Sequence, residues 1–157
     1  MIANPFDPVT DPDRHAIWQM LIARDSEAFI ARDWSRVEPD FDAQNFEGVR
    51  CFNSTNPDEW KIVFPRLEDY RDAWLASASD FARRGFVDLS PLQAVLRRCR
   101  LDQIDIAGEI ALARKKFSGE VKCNDGTSIT GSRQTLYRLR KRNGNWKITG
   151  FFGFLPL

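Results

Sequence analysis

Apolar residues recur at intervals of three and four in two long stretches of the chain, which is the period of an amphipathic helix. The first stretch begins at Asp11-Pro12, an N-cap aspartate followed by a proline suited to the first helical position, and it extends to about Asp33. The second opens at Pro65 and ends before Gly85, where a C′ glycine belongs. The two apolar stripes consist of Ile17, Met20, Leu21, Ala28 and Phe29, and of Leu67, Tyr70, Trp74, Ala78 and Phe81.

Shorter elements are predicted around these helices. Residues 34–40 favour a short helix that stops near Pro39. Residues 45–52 and 61–64 favour strands, with Phe46 and Gly48 entering or bending the interior. Ser90-Pro91 interrupts an ambiguous stretch and is interpreted as a break in any helix there.

The last third of the chain alternates between apolar and polar residues, as strands do. Residues 98–107 change parity partway, which indicates a bulge; residues 109–118 predict a further strand. Asn143-Gly144 suits a two-residue type I′ turn, so residues 132–157 predict a hairpin. On its second strand Trp146, Ile148, Phe152 and Phe154 share one face, and Phe151 is expected to point outward.

Helices followed by a run of antiparallel strands indicate an α+β fold, with a bent sheet of about four to six strands packed against helices. The chain has 157 residues, of which 43% are hydrophobic, as in a single ordinary domain. We expect an N-terminal arm over residues 1–10 and one domain over residues 11–157.

Charge and composition argue against several classes of function. The net charge is +1 and no basic-aromatic single-strand motif is present, so nucleic acid is not expected as a partner. No apolar run suits a membrane span, and the N-terminus lacks signal-peptide character, so we expect no membrane and a cytoplasmic location. Three spaced cysteines and a single histidine predict reduced thiols, no metal site and no cofactor.

Three segments carry a resemblance to a known family: residues 11–18 (DPDRHAIW), residues 33–41 (DWSRVEPDF) and residues 134–156 (QTLYRLRKRNGNWKITGFFGFLP). Together they resemble the nuclear transport factor 2-like superfamily, which includes the SnoaL-like proteins and is often called cystatin-like. The resemblance implies a strongly bent sheet wrapped around a long helix, cone-shaped, with an apolar internal pocket. It also implies a homodimer formed through the outer face of the sheet, and it transfers no particular reaction.

Members of that superfamily that resemble ketosteroid isomerase use a carboxylate base, and Glu47 is the position that best matches it. Tyr70 is the candidate hydrogen-bond donor. The alternative is that Glu47 is a solvated strand residue or an ion-pair partner of an arginine. Arg100 and Asp102 share a strand face as in epoxide-hydrolase-like members, but no second acid follows, which favours a surface ion pair.

Several aromatic residues are candidates for lining the pocket, with core packing as the alternative for each. They are Trp18, Phe46, Trp74, Tyr137, Trp146 and Phe152. Two functions stay open. One is an acid–base enzyme of isomerase, dehydratase or cyclase type acting on a small apolar carbonyl or hydroxyl compound. The other is a non-catalytic ligand-binding or accessory dimer of the same fold.

Overall fold

The computed structural model of the protein describes residues 2–157. The helices are Pro12–Trp18 (α1), Asp25–Ala31 (α2), Leu67–Ala82 (α3) and Pro91–Arg98 (α4). The strands are Glu47–Arg50 (β1), Lys61–Phe64 (β2), Cys99–Arg100 (β3), Ile104–Ala107 (β4), Ile110–Phe117 (β5), Val121–Lys122 (β6), Ser128–Ile129 (β7), Arg133–Arg142 (β8) and Asn145–Leu155 (β9). Short 3₁₀ turns occupy Trp34–Arg36, Glu38–Asp40 and Pro57–Glu59.

The first long helix starts where the sequence predicts. The Asp11 side chain accepts a hydrogen bond from the backbone N–H of Arg14, which satisfies a free donor of the first turn. A π-helical segment, Gln19–Arg24, joins α1 to α2 without a break. The helix ends at Ala31, because Arg32 adopts a left-handed conformation with φ of 55°.

The interpretation of Ser90-Pro91 as a helix break is wrong. The Ser90 side chain accepts a hydrogen bond from the Gln93 backbone N–H, and the Gln93 side chain accepts one from the backbone N–H of Ser90. This capping box, with Pro91 at the first helical position, starts α4 rather than ending a helix.

The main sheet contains seven strands in the order β2-β1-β9-β8-β5-β3, with β4 also paired to β5. It is therefore larger than the four to six strands predicted. All the pairs are antiparallel except β1 with β9, which is parallel. Between Arg100 and Ile104 the chain holds one residue more than its partner strand does, which explains the parity change over residues 98–107. The α+β fold with a curved sheet and packed helices is confirmed.

A second irregularity lies in β9 and reverses the predicted orientation of its aromatic residues. Arg138 pairs with Gly150 and Leu139 with Ile148, so Thr149 is an extra residue and forms a bulge. Beyond the bulge Phe151 faces inward and is only 7% exposed. Phe152 faces outward, where its ring lies 5.6 Å from that of Trp60. The predictions of an outward Phe151 and an inward Phe152 are both wrong, because a one-residue bulge exchanges the two faces of a strand.

Helices and sheet bury one main apolar cluster between them, which includes Ile17, Leu21, Trp34 and Leu139. The N-terminal arm joins it through Phe6, whose carbonyl oxygen lies 2.8 Å from Nδ1 of His15. No helix within residues 2–157 combines the length and apolar character needed to cross a membrane.

Candidate functional site

A hollow of about 230 Å³ lies between the helices and the inner face of the sheet. Helices α2, α3 and α4 form one side, and strands β1, β2, β3, β5, β8 and β9 form the other. Its charged side chains are three cations and one carboxylate, namely Arg50, Lys115, Arg133 and Asp25. The remaining lining residues are mostly apolar or aromatic, among them Phe29, Phe64, Trp74, Val95, Phe117, Phe151 and Phe154.

Asp25 and Lys115 form an ion pair at the wall of this hollow. Lys115 Nζ lies 2.7 Å from Asp25 Oδ2 and also donates to the carbonyl oxygen of Leu21 at 2.7 Å. Trp74 Nε1 donates to Asp25 Oδ1 at 3.2 Å. Burial acts to lower the pKa of Lys115, but attraction to the Asp25 carboxylate and smaller contributions from Cys99 and Tyr70 outweigh it and raise the pKa. Lys115 therefore stays charged at neutral pH, and its buried ammonium group is compensated by the ion pair with Asp25.

Tyr70 and Tyr137 stand beside this pair and interact through their hydroxyl groups. Burial is the main reason that the pKa of each phenol is raised, and the nearby Asp25 charge raises both further. Both tyrosines are accordingly protonated across the physiological range and act as hydrogen-bond donors. Their rings pack against Phe151, at centroid distances of 4.9 and 5.8 Å.

Gly48 makes room for these rings on the inner face of β1. A Cβ atom at this position would lie 2.9 Å from both the Phe151 and the Phe64 rings. The predicted inward position of Gly48 is thus explained by close packing, because only glycine leaves space for two aromatic neighbours.

Three of the residues predicted for the site meet in the hollow: Tyr70, Trp74 and Tyr137. Tyr70 and Trp74 are four residues apart on α3, so they present their side chains to the same surface. Tyr137 arrives from β8, opposite α3.

The other predicted pocket aromatics lie elsewhere. Trp18, Phe46 and Trp146 belong to the solid part of the main core. Phe46 stacks on the far side of Tyr70 at 5.7 Å, and Trp146 Nε1 donates to Asp13 Oδ1 at 2.9 Å. Phe152 lies on the outer face of the sheet, as described above. For Trp18, Phe46 and Trp146 the hydrophobic pattern identified burial without distinguishing a packed interior from a cavity wall.

Glu47 is exposed to solvent at the start of β1 and does not line the hollow. Its placement corrects the interpretation of Glu47 as a base in a dry pocket: Gly48 and Arg50 occupy the inward positions of the strand, and Glu47 has the opposite parity. Arg100 and Asp102 form the expected surface ion pair, with Nε and Oδ2 3.3 Å apart.

The sequence reasoning missed Asp25 and Lys115, although a signal for each was present. Asp25 follows Leu21 by four positions and precedes Ala28 by three, so it lies within the apolar stripe of the helix. Lys115 shares a strand face with Ala113 and Phe117. A charge on an apolar face is rarely buried without a partner, so the two signals together predict a buried ion pair.

Other reactive groups near the hollow are few. Cys99 is a free, buried thiol on the wall, and burial raises its pKa, which favours the unreactive thiol. Across residues 2–157 no cluster of three or more histidine, cysteine or acidic side chains is arranged to hold a metal ion.

Comparison with known proteins was made at the level of sequence and of structure. No protein-family model matches the sequence, and no curated protein matches it. Among solved structures, a protein of unknown function with a cystatin-like fold from Nostoc punctiforme is 17% identical. It has a TM-score of 0.58, with 94% of this chain and 93% of that chain covered.

Two further structures have the same overall arrangement. An NTF2-like protein of unknown function from Shewanella baltica is 14% identical with a TM-score of 0.54, covering 90% of this chain and 91% of that one. Aln2 from a Streptomyces species is 13% identical with a TM-score of 0.57, covering 87% and 86%. At such identities the similarity concerns the fold alone: the chain has the nuclear transport factor 2-like, or cystatin-like, fold.

Proposed function

We propose that this protein binds a small, mainly apolar molecule bearing a carbonyl or hydroxyl oxygen in the hollow between its helices and sheet. The observation that carries the proposal is the pair of protonated phenols, Tyr70 and Tyr137, inside an otherwise largely apolar wall. A few convergent polar groups in an apolar concavity are the usual composition of a small-molecule site.

The size of the hollow supports a ligand of modest dimensions. At about 230 Å³ it exceeds the roughly 150 Å³ that suffices to hold benzene. A molecule of about ten non-hydrogen atoms fits such a space by the same measure.

The hydrogen-bonding capacity of the tyrosines supports an oxygen-bearing ligand. Burial keeps both phenols protonated, so the pair carries two O–H donors, and the contact between the two hydroxyls uses at most one of them. Apart from Tyr70, no side chain or backbone group of residues 2–157 forms a hydrogen bond with the Tyr137 hydroxyl. At least one O–H donor of the pair is therefore available to a ligand oxygen, and a buried donor gains most when such an acceptor arrives.

Titration of neutral probes tests this proposal. We expect para-ethylbenzyl alcohol to bind, with chemical-shift changes at amides of residues lining the hollow. Tyr137→Phe should weaken the binding of the alcohol about five- to tenfold, the equivalent of one hydrogen bond. Binding of para-diethylbenzene, which has no oxygen, should not change in that variant.

The matched control is Trp60→Phe, which alters an aromatic residue on the outer face of the sheet and should leave both affinities unchanged. Absence of binding by both probes at millimolar concentration would contradict the proposal. Equal binding of the alcohol by wild type and Tyr137→Phe would contradict the role of the tyrosine pair.

A second candidate function is acid–base catalysis on the same ligand, and the carboxylate of Asp25 favours it. The Asp25 side chain is 28% exposed and faces the hollow beside the two phenols. Asp25 would accept a proton next to a carbonyl whose oxygen is held by Tyr137, the arrangement that general-base catalysis requires. Both of its oxygens already accept hydrogen bonds, and for this reason binding without turnover is the function we place first.

Isotope exchange separates the two functions. If Asp25 is a base, wild type should speed the exchange with deuterated water of the methyl protons next to the carbonyl group of para-ethylacetophenone. Asp25→Asn should abolish this effect. Binding of the ketone without faster exchange would leave the protein a binder.

A further inference from the structure

One end of the hollow carries two arginines that have no counter-charge. Arg50 on β1 and Arg133 on β8 both line it. Neither guanidinium forms an ion pair or a hydrogen bond with any of residues 2–157, and the Nε atom of Arg133 is buried without a partner. Asp25, the one carboxylate of the wall, is already paired with Lys115.

Aromatic rings hold the two guanidiniums in place. Phe154 lies between them, with its centroid 4.9 Å from the guanidinium carbon of Arg50 and 4.4 Å from that of Arg133. Phe64 also contacts Arg50, with its ring centroid 5.5 Å from the guanidinium carbon, and Phe117 contacts Arg133 at 5.4 Å. Cation–π contacts use the faces of the guanidinium groups, so their in-plane N–H donors stay free for a further acceptor.

The backbone at Phe154 is strained to achieve this stack. Its φ is 64°, a left-handed conformation that bulky residues rarely adopt. A register shift between Gln134 and Leu136 accompanies it, and the resulting bulge turns the ring inward. Local strain of this kind is concentrated at functional sites, since the rest of the fold must maintain it.

Arg98, a nearby arginine, differs from Arg50 and Arg133 because its side chain is hydrogen-bonded within the protein. Its side chain donates to the carbonyl oxygens of Gly119, Thr130 and Gly131. Burial lowers the pKa of Arg133, and the charges of Arg98 and Arg50 lower it further. Arg50, Arg98 and Arg133 together thus give this end of the hollow excess positive charge, which a bound anion would offset.

We infer that the ligand of the hollow is a small organic carboxylate, with its anionic group bound by the free in-plane N–H donors of Arg50 and Arg133 and its apolar body beside Phe151, on the side of the tyrosine pair. The inference deepens the proposed function and rests on it. Arg133, Thr135 and Tyr137 occupy successive inward positions of β8, so Arg133 and Tyr137 are about 13 Å apart along the strand. A single ring with a short substituent spans most of that distance. Arginine favours planar carboxylates, because its donors form a matching fork.

Three probes of one shape and different charge test the inference by calorimetry: para-ethylbenzoate, para-ethylbenzyl alcohol and para-ethylbenzylamine. We expect the benzoate to bind at least about tenfold more tightly than the alcohol, as a charge-assisted hydrogen-bonded pair does, and the amine to bind most weakly. Added sodium chloride should weaken the binding of the benzoate and leave the binding of the alcohol unchanged.

Variants locate the effect. Arg133→Gln and Arg50→Gln should each remove most of the preference for the benzoate and leave the affinity for the alcohol as it is. If the glutamine variant folds poorly, Arg133→Lys replaces it as the test. Because it keeps the charge, it should retain part of the preference for the benzoate. Arg100→Gln, at an exposed arginine outside the hollow, is the matched control and should change nothing.

The outcomes separate this inference from the proposed function. Equal affinity for benzoate and alcohol would overturn the inference and leave the proposed function standing. An Arg133→Gln variant that weakens all three probes alike would also overturn it, because the arginine would then only support the wall. If none of the probes binds, the proposed function fails together with the inference.

Discussion

The Nζ atom of Lys115 lies 2.7 Å from Oδ2 of Asp25, and the two side chains differ sharply in exposure, at 3% and 28%. Removing either partner therefore has unequal consequences. Without Lys115 the carboxylate still faces the hollow and keeps its hydrogen bond from Trp74. Without Asp25 an ammonium group stays buried with only the Leu21 carbonyl oxygen as a partner.

We accordingly expect Asp25→Asn to lower the free energy of unfolding by about 3 kcal/mol and Lys115→Met to lower it by roughly half as much. The double variant should be more stable than the sum of the single changes predicts, since neither charge is then left alone. Urea denaturation of the four proteins measures this. The exposed pair Arg100 and Asp102 is the control, with a coupling energy below about 1 kcal/mol; a similarly small coupling at Asp25 and Lys115 would contradict the prediction.

Asp13 gives the protein a predictable loss of stability in acid. Hydrogen bonds from Lys141 and then Trp146 lower the pKa of Asp13 below its ordinary value of 3.8. The unfolded chain thus binds the proton more tightly than the folded one, so the contribution is complete above about pH 4 and disappears as the pH falls through the folded-state pKa. Asp13→Asn should reduce the free energy of unfolding by about 1 kcal/mol at neutral pH.

The difference between wild type and Asp13→Asn should shrink steadily in denaturation curves recorded below the ordinary aspartate pKa. Asp72→Asn, at an exposed pair with Arg71, serves as the comparison, because it removes a carboxylate that lacks the hydrogen bonds from Lys141 and Trp146. A constant difference at all acidities would show that the Asp13 contacts do not depend on its charge.

Gly150 sits where β9 meets β1 and tolerates no side chain. Its φ is 152°, and a Cβ atom would lie 2.2 Å from the carbonyl oxygen of Glu47. Gly150→Ala should therefore disturb the parallel pairing of these strands and cost more than the roughly 1 kcal/mol expected from an unfavourable backbone conformation alone. Gly108→Ala is the matched control: its φ is 61° with open space around it. Equal melting temperatures for the two variants would contradict the steric argument.

The resemblance to nuclear transport factor 2-like proteins implies a homodimer, and the outer face of the sheet offers apolar groups for it. Leu112 is 36% exposed on this face, which also carries Phe152. We expect light scattering after size exclusion to give a mass twice that of the 18.1 kDa chain. Leu112→Glu should lower this measured mass. Val9→Glu, in the exposed N-terminal arm, should have no effect, and a monomeric wild type would end this expectation.

The sequence by itself determined the class of the fold and most of its elements. The period of the apolar residues and the cap at Asp11 located the long helices, and Asn143-Gly144 located the hairpin, because these signals act between near neighbours in the chain. Gly85 is not the C′ residue that the sequence predicts, since α3 already ends at Ala82 with Arg83 as its C-cap. The same period also identified Tyr70 and Trp74 as a pair on one helix face.

Only the tertiary structure decided which buried residues surround a hollow. A bulge at Thr149 exchanged the roles of Phe151 and Phe152, and the pairing of Asp25 with Lys115 joined residues from a helix and a distant strand. Local patterns state that a side chain is buried. They do not state what fills the space beside it, since that space is formed by segments far apart in the sequence.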